Sequence, residues 1–173
     1  MIIENYPISR YIELLKAQMA LCSSIDENDI DLPCIPKGSN WFLCRSSQGE
    51  FLDDPDAKRP IELSPNGSIE LYIRFRDNGH QIEIEKYRLA IFGIPVNNNK
   101  ITSIRYDYTK NTPAERKKMG WIEAISDNPQ HPMSHLHINF QEENNCRLAV
   151  GQLSPILALR AFDHWYYETF IRH

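Results

Sequence analysis

Ile69, Leu71, Ile73 and Phe75 alternate with Glu70, Tyr72, Arg74 and Arg76; Asn78-Gly79 then interrupts the pattern, and Ile82 and Ile84 resume it. A period of two marks a strand with one buried face, and Asn-Gly supplies the positive-φ residues of a tight hairpin turn. A chain with this signal must build an antiparallel sheet around it. With a two-residue loop at Asn78-Gly79, Phe75 would face Ile82, Ile73 would face Ile84 and Arg74 would face Glu83, matching apolar and charged partners. The second arm runs on through 87–92 until Pro95 closes it. Residues 100–108 then predict a further strand, with Ile104, Tyr106 and Tyr108 opposite Ser103, Arg105 and Asp107.

Around this meander the periodicity changes. Ile8, Tyr11, Ile12, Leu15, Met19 and Cys22 fall at steps of three and four, the stripe of an amphipathic helix that packs on a sheet. Residues 23–40, with Asp26, Glu27, Asp29, Asp31, Pro33, Pro36 and Gly38, read as an irregular acidic loop, 41–45 as a short strand and 53–65 as a proline-punctuated loop. Thr112-Pro113-Ala114-Glu115 opens a short helix that Gly120 closes, 121–125 reads as a brief strand, and 131–140 and 146–150 as an antiparallel pair across the turn at 142–145. Ser154 caps and Pro155 starts a C-terminal helix whose stripe is Leu159, Phe162, Trp165 or Tyr166, and Phe170. The expected class is α+β: one domain over 1–173, an antiparallel meander sheet of about six or seven strands flanked by N- and C-terminal helices.

Composition narrows the function. A formal charge of −4 argues against coating nucleic acid by charge alone, although a local basic patch can still bind it. Cys22, Cys34, Cys44 and Cys146 are scattered, which suits thiols in a reducing compartment. The start lacks a basic and apolar leader, and no apolar run nears the ~20 residues that span a bilayer, so a cytoplasmic protein without membrane contact is expected. No glycine-rich phosphate loop or nucleophile elbow is present.

The chemistry concentrates on the histidine strand. Residues two apart share a face, so His131, His135, His137 and Asn139 line one side and Leu136, Ile138 and Phe140 the other. Such a row serves acid/base chemistry, a divalent metal or a polar surface. His135 and His137, with Arg105 or Arg88 from neighbouring strands, would pair two imidazoles with a guanidinium that grips phosphate, the layout of a metal-independent ribonuclease. Because Arg105 and Asp107 share a strand face, a cross-strand salt bridge explains them at least as well. Lys100, Lys110, Arg116, Lys117 and Lys118 form a local basic patch that could steer a phosphate backbone or simply be solvated.

Two resemblances bear on this. The order Tyr87-Arg88-Leu89, Ile104-Arg105-Tyr106-Asp107-Tyr108, His131-Pro132 and His135-Leu136-His137 resembles the small TumE-like toxin proteins of prokaryotes across the middle third of the chain. His135-Leu136-His137 with Tyr166 and Tyr167 resembles the HUH endonucleases, in which paired histidines hold a divalent cation and a helical tyrosine attacks the phosphate. The expected function is a ribonuclease-like nucleic-acid phosphodiesterase, of the toxin or phage-defence kind. Its expected catalytic residues are His135, His137, Arg105 and Tyr106, with substrate held by His131, Arg88, Lys110, Lys117 and Lys118. No cofactor is required. The alternative is a divalent metal ion on His135, His137 and His131, as in a DNA nickase. Expected partners are RNA or single-stranded DNA; a non-catalytic module would instead dock a protein, or a second copy, through its sheet face or C-terminal helix.

Overall fold

In the computed structural model the chain runs β1 (Ile2–Glu4), α1 (Ile8–Ala20), β2 (Cys34–Lys37), β3 (Asn40–Arg45), β4 (Ile61–Glu62), β5 (Ser68–Asp77), β6 (Ile82–Phe92), β7 (Ile101–Thr109), β8 (Ser134–Phe140), β9 (Cys146–Ala149) and α2 (Pro155–Tyr166). The structure describes residues 1–22, 24–26, 30–46, 59–64, 67–93, 101–110, 134–140, 146–168 and 172. The strands form one nine-stranded sheet in the order β2-β3-β5-β6-β7-β8-β9, with β1 on β6 and β4 on β5, and every pairing is antiparallel. The long strands β5 and β6 outrun their main neighbours. β4 pairs with β5 at Ser68 and Ile69, beyond the end of β3, and β1 pairs with β6 at residues 82–84, beyond the end of β7.

The α+β class and the flanking helices stand as expected, and the sheet is larger by its short strands. β2 lies within the stretch read as an acidic loop, β4 within the proline-punctuated loop, and β1 in a segment too short to show a period. Each is two to four residues long and is held by a longer neighbour rather than by its own pattern. The expected helix at 112–120, the strand at 121–125 and the first residues of the histidine strand lie outside the described residues.

The hairpin forms with a different register. Asn78 N–H donates to Gln81 C=O at 3.0 Å, so Gly79-His80, not Asn78-Gly79, are the central residues. Phe75 pairs with Ile84, Arg76 with Glu83 and Asp77 with Ile82, correcting the expected pairs. Moving the turn by one residue moves each pairing by two, which leaves every side chain on its original face, so alternation alone could not separate the two registers. Gly79 adopts φ +84°, and its N–H donates to Asp77 Oδ1 at 2.8 Å.

A bulge follows at Glu85. Arg74 pairs with Lys86 and Phe75 with Ile84, which leaves Glu85 without an opposite residue. The extra residue changes the phase of β6, so that Ile82 and Ile84 before it and Tyr87, Leu89 and Ile91 after it all enter the same core. That core joins Leu43, Ile69, Leu71, Ile73 and Phe75 of the sheet to Tyr11, Leu15 and Met19 of α1 and Ala158, Leu159 and Tyr166 of α2. Ser154 caps α2 by accepting from Leu157 N–H, and Arg160 Nε donates to Gln18 Oε1 at 2.6 Å, tying the helices together.

At Gly79 a side chain would meet no neighbour within 4 Å, so its conformation alone resists substitution. Gly79→Val should cost about 1–3 kcal/mol in urea unfolding, because a β-branched residue tolerates positive φ poorly, whereas Gly79→Asn should cost less. Equal stability of wild type and Gly79→Val would disprove this account of the turn.

Candidate functional site

Strands β6, β7 and β8 divide their residues between two surfaces. Tyr87, Leu89, Tyr106, Tyr108 and Leu136 face the helices, while Arg88, Arg105, Asp107, His135 and His137 face the other way. Register lines up the second set. Tyr72 lies opposite Arg88, Arg88 opposite Asp107, and Asp107 opposite His135, one straight row across four strands at about 4.8 Å per step. Arg105 lies opposite His137 in the next row.

Asp107 is the centre of the group. Arg88 Nε donates to Oδ1 at 3.0 Å, Arg105 Nε lies 2.7 Å from Oδ2, His137 Nε2 3.2 Å and His135 Nε2 3.8 Å from the same oxygen. The two imidazoles meet edge to face, with ring centroids 4.5 Å apart. Both histidines are buried, whereas Arg88 and Arg105 each keep about a quarter of the side chain exposed. Burial alone would raise the Asp107 pKa. The close approach of His137 and the charges of Arg88 and Arg105 outweigh it and hold the carboxyl far below its usual range.

Donor spacing admits a metal, since one ligand atom from each of Asp107, His135 and His137 lies within 4.8 Å of the others. Asp107 thus joins the expected His135 and His137 as a candidate ligand; His131, Lys117 and Lys118 lie outside the described residues. The charge balance opposes a cation, because two guanidiniums already contact both carboxylate oxygens.

Tyr106 requires correction. It lies on the helix side of the sheet, stacked on Tyr87 at 5.3 Å, and its hydroxyl donates to Gly151 C=O at 2.9 Å and accepts from Leu153 N–H at 3.0 Å. Tyr87 and Tyr108 do similar work: the Tyr87 hydroxyl donates to Leu153 C=O at 2.6 Å, and the Tyr108 hydroxyl accepts from Ile2 N–H at 3.2 Å. These tyrosines anchor the β9–α2 connection and the N-terminal strand. Tyr166 is buried in the same core, its hydroxyl 3.4 Å from Ser64 C=O, so the sheet separates it from the imidazoles. Tyr167, the C-cap of α2, is exposed.

Lys110 joins a second charged group that sequence reading missed. At the bulge, Glu85 is buried and receives Arg74 Nε, Arg76 Nε and Lys110 Nζ, each at 2.8 Å, and Lys110 also reaches Glu83 at 3.2 Å. Burial would raise the Glu85 pKa, but the close contact of Lys110 and the positive charges of Arg74, Lys110 and Arg76 lower it. The signal was the broken alternation at Glu85-Lys86. Among the described cysteines, burial pushes the thiols up, Cys22 to about 12 with help from the Asp163 charge, and Cys34 and Cys44 to about 11, so none is a ready nucleophile.

Comparison of the chain with protein-family models, with curated proteins and with solved structures returns no match. Among the described residues no helix is long and apolar enough to cross a membrane.

Two predictions follow from this geometry. Tyr106→Phe should lose about 1–3 kcal/mol of stability, since it leaves Leu153 N–H and Gly151 C=O without their partner, while the group around Asp107 stays intact; an unchanged urea midpoint would contradict the anchoring role. Asp107 and Glu85 have folded pKa values below their unfolded ones, so their stabilising contribution is present above about pH 4 and is lost as pH falls through the folded values. Urea midpoints taken from pH 7 down to pH 2 should therefore decline below about pH 4, and less steeply for Asp107→Asn; parallel declines between pH 4 and pH 2 would refute the assignment.

Proposed function

We propose that this protein is a metal-independent phosphodiesterase acting on RNA, with His135 and His137 as its acid/base pair. The observation that carries the reading is the convergence of two arginines and two histidines on the single carboxylate of Asp107. Arg88 and Arg105 each hold one oxygen of Asp107, which leaves that carboxylate less available to a metal cation. Guanidinium forks suit phosphate oxygens, and Arg88 and Arg105 retain exposed surface from which to meet one. His137 Nε2 lies 3.2 Å from Asp107, and the two imidazoles meet edge to face, so two rings able to carry a proton stand side by side.

The chemistry needs that pairing. The neutral imidazole takes the proton of the ribose 2′-hydroxyl, whose oxygen attacks the adjacent phosphorus. The P–O5′ bond breaks, and the imidazolium gives its proton to the departing 5′-oxygen. The products are a 2′,3′-cyclic phosphate and a free 5′-hydroxyl. Arg88 and Arg105 stabilise the charge that grows on the phosphoryl oxygens. A toxin or phage-defence role would be one setting for such an activity, with growth arrest on expression as its sign.

The second reading is a divalent metal on Asp107, His135 and His137, favoured by the spacing of their ligand atoms. There the cation would polarise a phosphate oxygen or activate a water. Cleavage assays on single-stranded RNA and DNA separate the two. For the acid/base reading, His135→Ala and His137→Ala should each lower the rate by at least a hundredfold, EDTA should have no effect, the pH profile should be bell-shaped, and DNA should survive. Loss of cleavage in EDTA with restoration by a divalent ion would establish the metal reading instead. Intact RNA and DNA in every assay, from folded protein, would refute both.

A further inference from the structure

We propose that the sheet face running from the imidazoles past Tyr72 and Phe42 to Arg74 and Arg76 is a binding strip for single-stranded RNA; its assignment to RNA rests on the phosphodiesterase reading above. Tyr72 lies directly across from Arg88, so it adjoins the Asp107 group. Phe42 lies across from Arg74, and the Phe42 and Tyr72 rings sit 6.3 Å apart, tilted by 53°. Together with Ile35 they form a small apolar cluster over Cys44, on the face away from the main core. Both rings remain partly exposed.

Beside them, along β5 and β6, lies the Glu85 group. Arg74, Arg76 and Lys110 outnumber Glu83 and Glu85, and the Arg76 side chain is 49% exposed. Along β5, Tyr72 and Arg74 are two residues apart, about 7 Å at the usual rise of a strand. The face thus presents cations across the strands as far as Arg88, aromatic rings at Tyr72 and Phe42, and cations again where the path turns along β5. Cationic tracks with interleaved aromatics hold single strands, because phosphates follow the charge and unstacked bases lie on the rings. A duplex keeps its bases stacked on one another and cannot use the rings. The ribose 2′-hydroxyl that the proposed cleavage needs selects RNA over DNA at the neighbouring group.

Equilibrium binding by fluorescence anisotropy, with the full chain and labelled single-stranded RNA, duplex RNA and single-stranded DNA, tests the strip. Phe42→Leu and Tyr72→Leu keep apolar volume under the face but remove the rings, and each should weaken single-stranded RNA binding about tenfold. Arg76→Gln, at an exposed position, should reduce the slope of log affinity against log salt by about 0.7. In cleavage assays Phe42→Leu and Arg76→Gln should raise KM and leave kcat unchanged. Single-stranded RNA affinity unaltered in both ring variants, or duplex RNA bound as tightly as the single strand, overturns the strip. Equal affinity for single-stranded DNA overturns its assignment to RNA. Cleavage by wild type with KM unmoved in the variants sinks the strip and leaves the phosphodiesterase; ring-dependent binding without cleavage does the reverse.

Discussion

The register between β6 and β7 is the constraint on which both halves of this molecule depend. It sets Tyr87 against Tyr108 and Leu89 against Tyr106 on one side, and Arg88 against Asp107 on the other. The inward tyrosines carry apolar area into the core while their hydroxyls fasten peripheral backbone: the connection into α2 and the N-terminal strand. The outward charges gather at Asp107. A slip of one residue would send the tyrosines out and bury the charges under the helices, so core and site are specified by one set of pairings.

Clustering this many ionisable groups on a partly buried sheet face is costly unless each charge is compensated. The solution is repeated twice. Asp107 and Glu85 are each surrounded by cationic donors, and each is kept ionised against its burial. The two carboxylates act as organisers, holding arginines in fixed positions that solvent-exposed side chains would lose to rotamer entropy. The bulge gives the second cluster its place: Glu85 C=O accepts from Lys110 N–H at 2.8 Å, so the residue that interrupts the ladder also recruits the lysine whose amine neutralises it. What the face gains is a rigid array of positive charge, which is the property a polyanionic ligand would exploit.

Much of this was legible in the alternation of residues. The hairpin, β7, the histidine strand and both helices follow from periods of two and of three to four. The cap at Ser154 follows from its chemistry, and the shared face of Arg105, Asp107, His135 and His137 from counting by twos. The Arg105–Asp107 salt bridge and the proposed site turned out to be one arrangement, since Asp107 links the arginines to the imidazoles. Tyr106 was misplaced because a motif read along the chain ignores the pleat: neighbours in sequence point to opposite surfaces. β1, β2 and β4 were invisible because strands of two to four residues owe their existence to partners distant in sequence.

By itself, then, the sequence determined which residues share a face, because the geometry of an extended chain is local. It could not determine which faces meet. The exact hairpin register, the phase change at Glu85, the row from Tyr72 through Arg88 and Asp107 to His135, and the sheet lying between Tyr166 and the imidazoles were decided by tertiary structure alone. The physical reason is that registers differing by two residues bury the same side chains, so hydrophobic pattern cannot choose between them. The choice falls to the turn's own hydrogen bonds, to the bulge and to the pairing of charges across strands, all of which exist only once the sheet has formed.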